Sequence, residues 1–176
     1  MCESKLKGVS TNIVQLTWKR YSYDDVTVKT LNNGCDYGIY QIYGTHPVFG
    51  EDVLLYIGKA QDQTFWKRFS QHDDFIVTNI NHFSRIHVGR LIESNFCTKE
   101  TWGNVIDHIE PLLINAHLPP YNAKDIKGVL SASEYLEYHV LNYGDLGSLL
   151  PEVSGFRYSN LLWNEKMYPF IELTET

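Results

Sequence analysis

The sequence predicts an α+β fold: a small three-stranded antiparallel sheet flanked by helices, with N- and C-terminal extensions. Two observations carry this. Short Ile-, Tyr- and Val-rich runs bounded by Gly and Pro occur between residues 37 and 92, and an apolar stripe at helical spacing occupies 101–116. The resulting order is strand, strand, helix, strand, helix, which suits a sheet with helices packed on it.

YGIYQIY (37–43) is rich in residues that favour strands. GTHPVFGED (44–52) breaks it and VLLYIG (53–58) resumes, so a hairpin with a long loop is expected. In an even register Tyr40 and Tyr56 share a sheet face, because side chains alternate with period two. Asp62 or Thr64 caps a short helix, FWKRFSQH (65–72). Phe65 and Phe69 share one stripe of it, and Arg68 and His72 lie together on a neighbouring one. RIHVGRLI (85–92) reads as a third strand. In TWGNVIDHIEPLLINA (101–116), Trp102, Val105, Ile106, Ile109, Leu112 and Leu113 recur at helical spacing. Pro111 removes an amide donor at a cost of about 3 kcal/mol, so the helix should kink or restart there. LPPYNAK (118–124) is a proline-stiffened exit. ASEYLEYHVLNYG (132–144) reads as a helix ended by Gly144, and GDLGSLLPEVSG after it as loop. Residues 1–36 and 125–176 thus flank a 37–124 domain, the second as an acidic helical or irregular extension packed on it.

Composition narrows the class. The 176 residues are 43% hydrophobic, enough for a core, and the length suits one domain. The longest apolar run, Val53–Ile57, is far too short for a membrane span. The first twenty residues lack the apolar stretch of a secretory signal. Cys2, Cys35 and Cys97 form no CxxC and no even framework. A cytoplasmic protein is expected, with no membrane partner. Net charge is −6, against a protein that binds nucleic acid simply by being basic. The acidity is uneven, however: residues 129–176 hold only Arg157 and Lys166 against seven acids, while the body is close to neutral. No GxGxxG or Walker loop is present, and the scattered histidines with Asp107-x-x-Glu110 make no zinc motif.

Gly38-Ile39-Tyr40 and Tyr56-Ile57-Gly58, followed by Lys59-Ala60, resemble the signature of the GIY-YIG nuclease superfamily, and YIGKA is similar to its repair-type members. Arg68 falls where that family carries an arginine, and His72 where it carries His or Tyr. Glu110, an apolar stretch and then Pro119-Pro120-Tyr121-Asn122 resemble its closing motif. The resemblance spans roughly residues 37–124. It departs in the longer stretch between Tyr40 and Tyr56 and in Pro111 directly after the glutamate. Each residue alone has a duller role, since strand tyrosines pack and helix arginines are solvated. Their joint order is what points to a site.

The resemblance implies a metal-dependent DNA endonuclease of the repair or genome-defence type, acting through one Mg²⁺ or Mn²⁺ held by Glu110. Its site residues would be Tyr40, Tyr56, Lys59, Arg68, His72, Glu110 and Asn122. The chemistry is coherent. A lone carboxylate suits a hard cation that keeps its waters, and Arg68 offers a planar fork for phosphate oxygens. Tyr40, implied as general base, titrates near pH 10 when free. A neighbouring Lys59 ammonium or the metal is expected to lower that value. Tyr56, His72 and Asn122 would hydrogen bond phosphate or the attacking water. Phosphate contacts are expected among Lys19, Arg20, Lys59, Lys67, Arg68, Arg85 and Arg90. Two alternatives stand beside this reading: a type II restriction endonuclease with sequence specificity, and a non-cleaving nucleic-acid-binding or scaffold module. RNA is an alternative to DNA, and either a monomer or a homodimer is compatible.

Overall fold

The computed structural model describes residues 12–22, 29–34, 36–71, 83–92, 99–122 and 137–155. Its strands are β1 (Asn12–Ser22), β2 (Gly38–His46), β3 (Gly50–Ala60), β4 (Phe83–Leu91), β5 (Tyr138–Gly144) and β6 (Glu152–Ser154). Helix α1 covers 65–71 and α2 covers Lys99–His117. The first seven residues of β2 are buried, which is why GIYQIYG is a nearly continuous apolar run: both of its faces are covered.

The expected three-stranded antiparallel sheet flanked by helices is not what forms. The six strands make one sheet in the order β3-β2-β4-β1-β5-β6. It is mixed, because β1 and β5 pair in parallel, and it curls into a half-barrel with two helices among the described residues. The reason lies in α2. Nineteen residues make a helix about 28 Å long, whereas three strands span only about 10 Å between their outer axes. The helix packs against β2, β3, β5 and β6, touching both edge strands, so its apolar stripe needs the full width of the sheet. β1, from the N-terminal stretch, and β5 and β6, from the C-terminal one, supply that width. They are integral strands, not additions around a core.

Further expectations change. The tail segment 132–144 is not a helix where it is described: Tyr138–Gly144 is β5. Within GDLGSLLPEVSG, read as loop, Glu152–Ser154 is β6. The hairpin loop is also short. β2 runs to His46 and β3 starts at Gly50, leaving a three-residue turn at 47–49. Gly50 takes φ 91° after it, the positive φ that such three-residue turns demand. Pro111 neither ends nor restarts α2, which runs through it as one element.

Each sheet face has its own core. On one face Trp102, Val105, Ile106, Ile109, Leu112 and Leu113 of α2 pack on Val14, Leu16, Trp18, Ile39, Ile57, Val140 and Val153. On the other, Phe65 and Phe69 of α1, with Leu31, cover Tyr40, Ile42, Ile86 and Val88. Burying each such side chain contributes about 1.5–3 kcal/mol. Among the described residues no helix is long and apolar enough to cross a membrane.

Candidate active site

β3 is an edge strand, and the residues that carry the resemblance gather along it. The register pairs Tyr40 with Gly58 and Ile42 with Tyr56, so Tyr40 and Tyr56 share the α1 face, as alternation requires. Their ring centroids are 6.1 Å apart. Tyr40 is fully buried, with Phe69 edge-on at 4.9 Å. Its phenol lies across Gly58: a Cβ there would sit 2.6 Å from Tyr40 Cζ and Oη and from Tyr56 Cε1. The glycine at this point is therefore the floor on which the tyrosine pair rests.

Arg68 reaches toward Tyr40 from α1, close enough for its guanidinium to favour the phenolate. Its Nε is buried and, among the described residues, has no hydrogen-bond partner. A buried unmatched donor costs about 1–3 kcal/mol, more on a charged group, and is the kind of exception that points to a missing acceptor.

Lys59, one residue beyond Gly58, projects to the opposite face and meets α2. Its Nζ lies 2.7 Å from Asp107 Oδ1 and 2.9 Å from Glu110 Oε2. The two carboxylates are three residues apart on the helix, which places them on one face. Gln61 Nε2 donates to the other oxygen of Asp107 at 2.8 Å. Burial pulls the Lys59 pKa down, but the hydrogen bonds and charges of Asp107 and Glu110 outweigh it and hold the ammonium above its ordinary value. Burial likewise raises Asp107, and the bonds from Lys59 and Gln61 more than reverse this. Glu110 is near enough to Tyr40 to act on its charge, so the cluster wraps around the edge of β3 and joins the two faces.

Tyr40 does not behave as expected of a base. Burial pushes its phenol far above the usual tyrosine range, Tyr56 and Glu110 add to the rise, and Arg68 opposes it without prevailing. Lys59 does not lower it, being turned to the carboxylates on the other face.

Asn122 is also placed differently from expectation. It is buried, its Oδ1 accepts from Ile57 N at 2.9 Å, and its Nδ2 donates to Ile57 O at 2.8 Å. The side-chain amide thus pairs with the edge of β3 as another strand would. Tyr121 N donates to Leu55 O beside it at 3.1 Å. Together they cover an exposed strand edge and fix the stretch that carries Tyr56 and Gly58. His72 lies outside the described residues.

Of the other expected phosphate contacts, Arg85 is ion-paired with Asp52 and Arg90 with Asp36, and both serve the fold. Lys67 is exposed close to the cluster. Asp107 and Gln61 were missed as partners of Lys59. The i, i+3 spacing of Asp107 and Glu110 was a visible signal, but nothing local shows which strand residue they receive.

For a metal ion, the donor set offers Glu110, with Asp107 on the far side of the same ammonium. Among the described residues no group of three or more His, Cys, Asp or Glu could hold one. A carboxylate such as Glu110 suits a hard cation that takes one or two carboxylates and otherwise water and phosphate. Compared with protein-family models, curated proteins and solved structures, the chain shows no significant match.

Proposed function

We propose that the chain is a metal-dependent DNA endonuclease of the GIY-YIG type. The observation that supports this most is the convergence at one strand edge of a pair of neighbouring tyrosines, a guanidinium with a buried unmatched Nε, and a carboxylate braced by lysine. A phosphodiester is the ligand this set suits. Its oxygens would accept from Arg68 in a fork geometry that lysine cannot reproduce. Lys59 fixes the aim of Glu110 and offsets its charge. Glu110 would hold Mg²⁺ or Mn²⁺, which when bound supplies charge neutralisation at the phosphoryl oxygens. Tyr40 and Tyr56 present hydroxyls beside Arg68, from a floor held flat by Gly58 and an edge held in place by Asn122. Around the buried Tyr40 hydroxyl such preset donors are worth more than in water.

One observation favours a second reading, a module that grips phosphate without cutting it: Tyr40 is held protonated, which is unfavourable for a base near neutral pH. Supercoiled plasmid incubated with Mg²⁺, Mn²⁺ or EDTA separates the two. The nuclease reading expects nicking that needs metal and is lost in Glu110→Ala and Tyr40→Phe. Activity that survives Glu110→Ala would place the chemistry elsewhere. A wild-type protein silent on plasmid, branched, single-stranded and RNA substrates, yet binding them, would select the module.

A further inference from the structure

Between β3 and α1 the chain bends through residues 61–64, and two adjoining cavities open against this bend. One, of about 270 Å³, is lined by Lys59 and Arg68 of the proposed site. The other, of about 240 Å³, contains no proposed site residue and is lined by Gly34, Tyr37, Thr64 and Lys67. Residues 61–63 form a wall common to both.

We infer that the second cavity binds one unpaired nucleotide of the strand whose phosphate lies at Arg68, so that the substrate is a splayed or single strand at that point. The identity of the strand rests on the nuclease reading; the cavity does not. Its size limits what can enter: at about 240 Å³ it lies below the roughly 300–1,000 Å³ of pockets for drug-sized ligands, so it suits a single base, and a base pair with its backbones does not fit inside it. Its lining suits the parts of a nucleotide. Tyr37 offers a ring braced by Trp102 at 4.7 Å, and aromatic rings stack any base without regard to sequence. Lys67 is an exposed cation for the flanking phosphate. Asp62, in the common wall, repels phosphate but accepts from the exocyclic amine of a base. Gln61 is fixed by its bond to Asp107, so the wall is tied to the same carboxylate that holds Lys59. A strand passing from Arg68 to Lys67 would turn its base inward at the bend.

The test is binding in EDTA, where no cleavage intervenes. Fluorescence anisotropy compares a twelve-nucleotide oligo-dC, whose bases carry the exocyclic amine, a splayed fork and a blunt duplex across a salt series. Wild type should bind the first two more tightly than the blunt duplex. Lys67→Ala should weaken single-strand binding and reduce the slope of log K against log salt by about 0.7, the value for one phosphate contact. Gly34→Trp should abolish the preference. A Cβ at Gly34 meets nothing within 4 Å, so the larger side chain can fill the cavity, with an unchanged melting temperature as the control for folding. Equal binding to blunt duplex, or an unchanged slope and preference in both variants, would overturn the inference. Plasmid nicking in Mg²⁺, measured on the same proteins, separates the failures. Wild-type nicking with binding unaltered in Lys67→Ala and Gly34→Trp removes the pocket alone, whereas a wild type that neither nicks plasmid nor binds nucleic acid removes both.

Discussion

Replacing Asn122 by alanine should destabilise the fold, independently of any substrate. The side chain makes two hydrogen bonds to the Ile57 backbone, at 2.9 and 2.8 Å, from a position 2% exposed. A typical bond contributes about 1 kcal/mol net, and leaving a buried partner unsatisfied costs about 1–3 kcal/mol. Two such groups on one residue give an expected loss of about 2–6 kcal/mol, the lower end applying if water reaches the strand edge. With a urea m-value of about 2 kcal/mol/M, the unfolding midpoint should fall by about 1–3 M. Asn122→Asp is the sharper control. It keeps an acceptor for Ile57 N but turns a second oxygen on Ile57 O, so it should cost at least as much at neutral pH and recover in part when protonated. Urea unfolding followed by tryptophan fluorescence reads all three proteins. If Asn122→Ala unfolds within about 0.5 kcal/mol of wild type and yet loses nicking, the residue acts on substrate and the strand-pairing account is wrong.

Three more outcomes are expected. Gly58→Ala places a methyl 2.6 Å from the Tyr40 and Tyr56 rings; overpacking of this kind costs about 1–3 kcal/mol, and the melting temperature should drop with nicking lost, whereas a wild-type-like variant would refute the role of Gly58 as a floor. His87 and His117 are each held neutral: burial lowers both pKa values, and each ring bonds a backbone carbonyl with Nδ1 while Nε2 faces a donor, Arg85 Nε or Leu150 N. Because the unfolded histidines titrate near 6.5, their contribution is complete above that pH and declines as pH falls from there toward the folded values; a urea midpoint at pH 5.5 equal to or above that at pH 7.5 would contradict this. Leu118 ends α2 at φ 49°, a left-handed conformation that costs a side-chain-bearing residue about 1–2 kcal/mol. After glycine's own entropy loss of about 0.5–1 kcal/mol, Leu118→Gly should raise stability by up to about 1 kcal/mol in the same assay, and a destabilised variant would show that the leucine is held by packing.

Sequence pattern carried the centre of the fold and lost its margins for identifiable reasons. β2, β3 and β4 were legible because β-branched and aromatic residues are concentrated in them, and all six apolar residues expected on the α2 stripe are buried. In β1, Val14, Leu16 and Trp18 alternate with Gln15, Thr17 and Lys19, a period-two pattern of a strand buried on one face. β5 was disguised by Asn142. That residue occupies an inward position, where its Oδ1 accepts from Trp18 Nε1 at 2.9 Å and its Nδ2 donates to Leu150 O at 2.8 Å. A polar residue at a buried site breaks the alternation, and the parallel pairing of β1 with β5 joins segments more than a hundred residues apart, beyond any local signal. In the site, the tyrosine pair followed from register alone. The destination of Lys59 did not, because its partners lie on the opposite face, and Asn122 carries no mark in sequence to distinguish a strand mimic from a ligand.

In the proposed function, Arg68 and Glu110 act on one phosphodiester. The most direct measurement is the single-turnover nicking rate in Mg²⁺ for wild type, Arg68→Lys, Glu110→Gln and the double variant. Residues that act as a unit give strongly non-additive losses, so each single change should cost about 100-fold or more, and the double variant should be little slower than the worse single. Losses that simply multiply, or an Arg68→Lys protein as fast as wild type, would contradict the account.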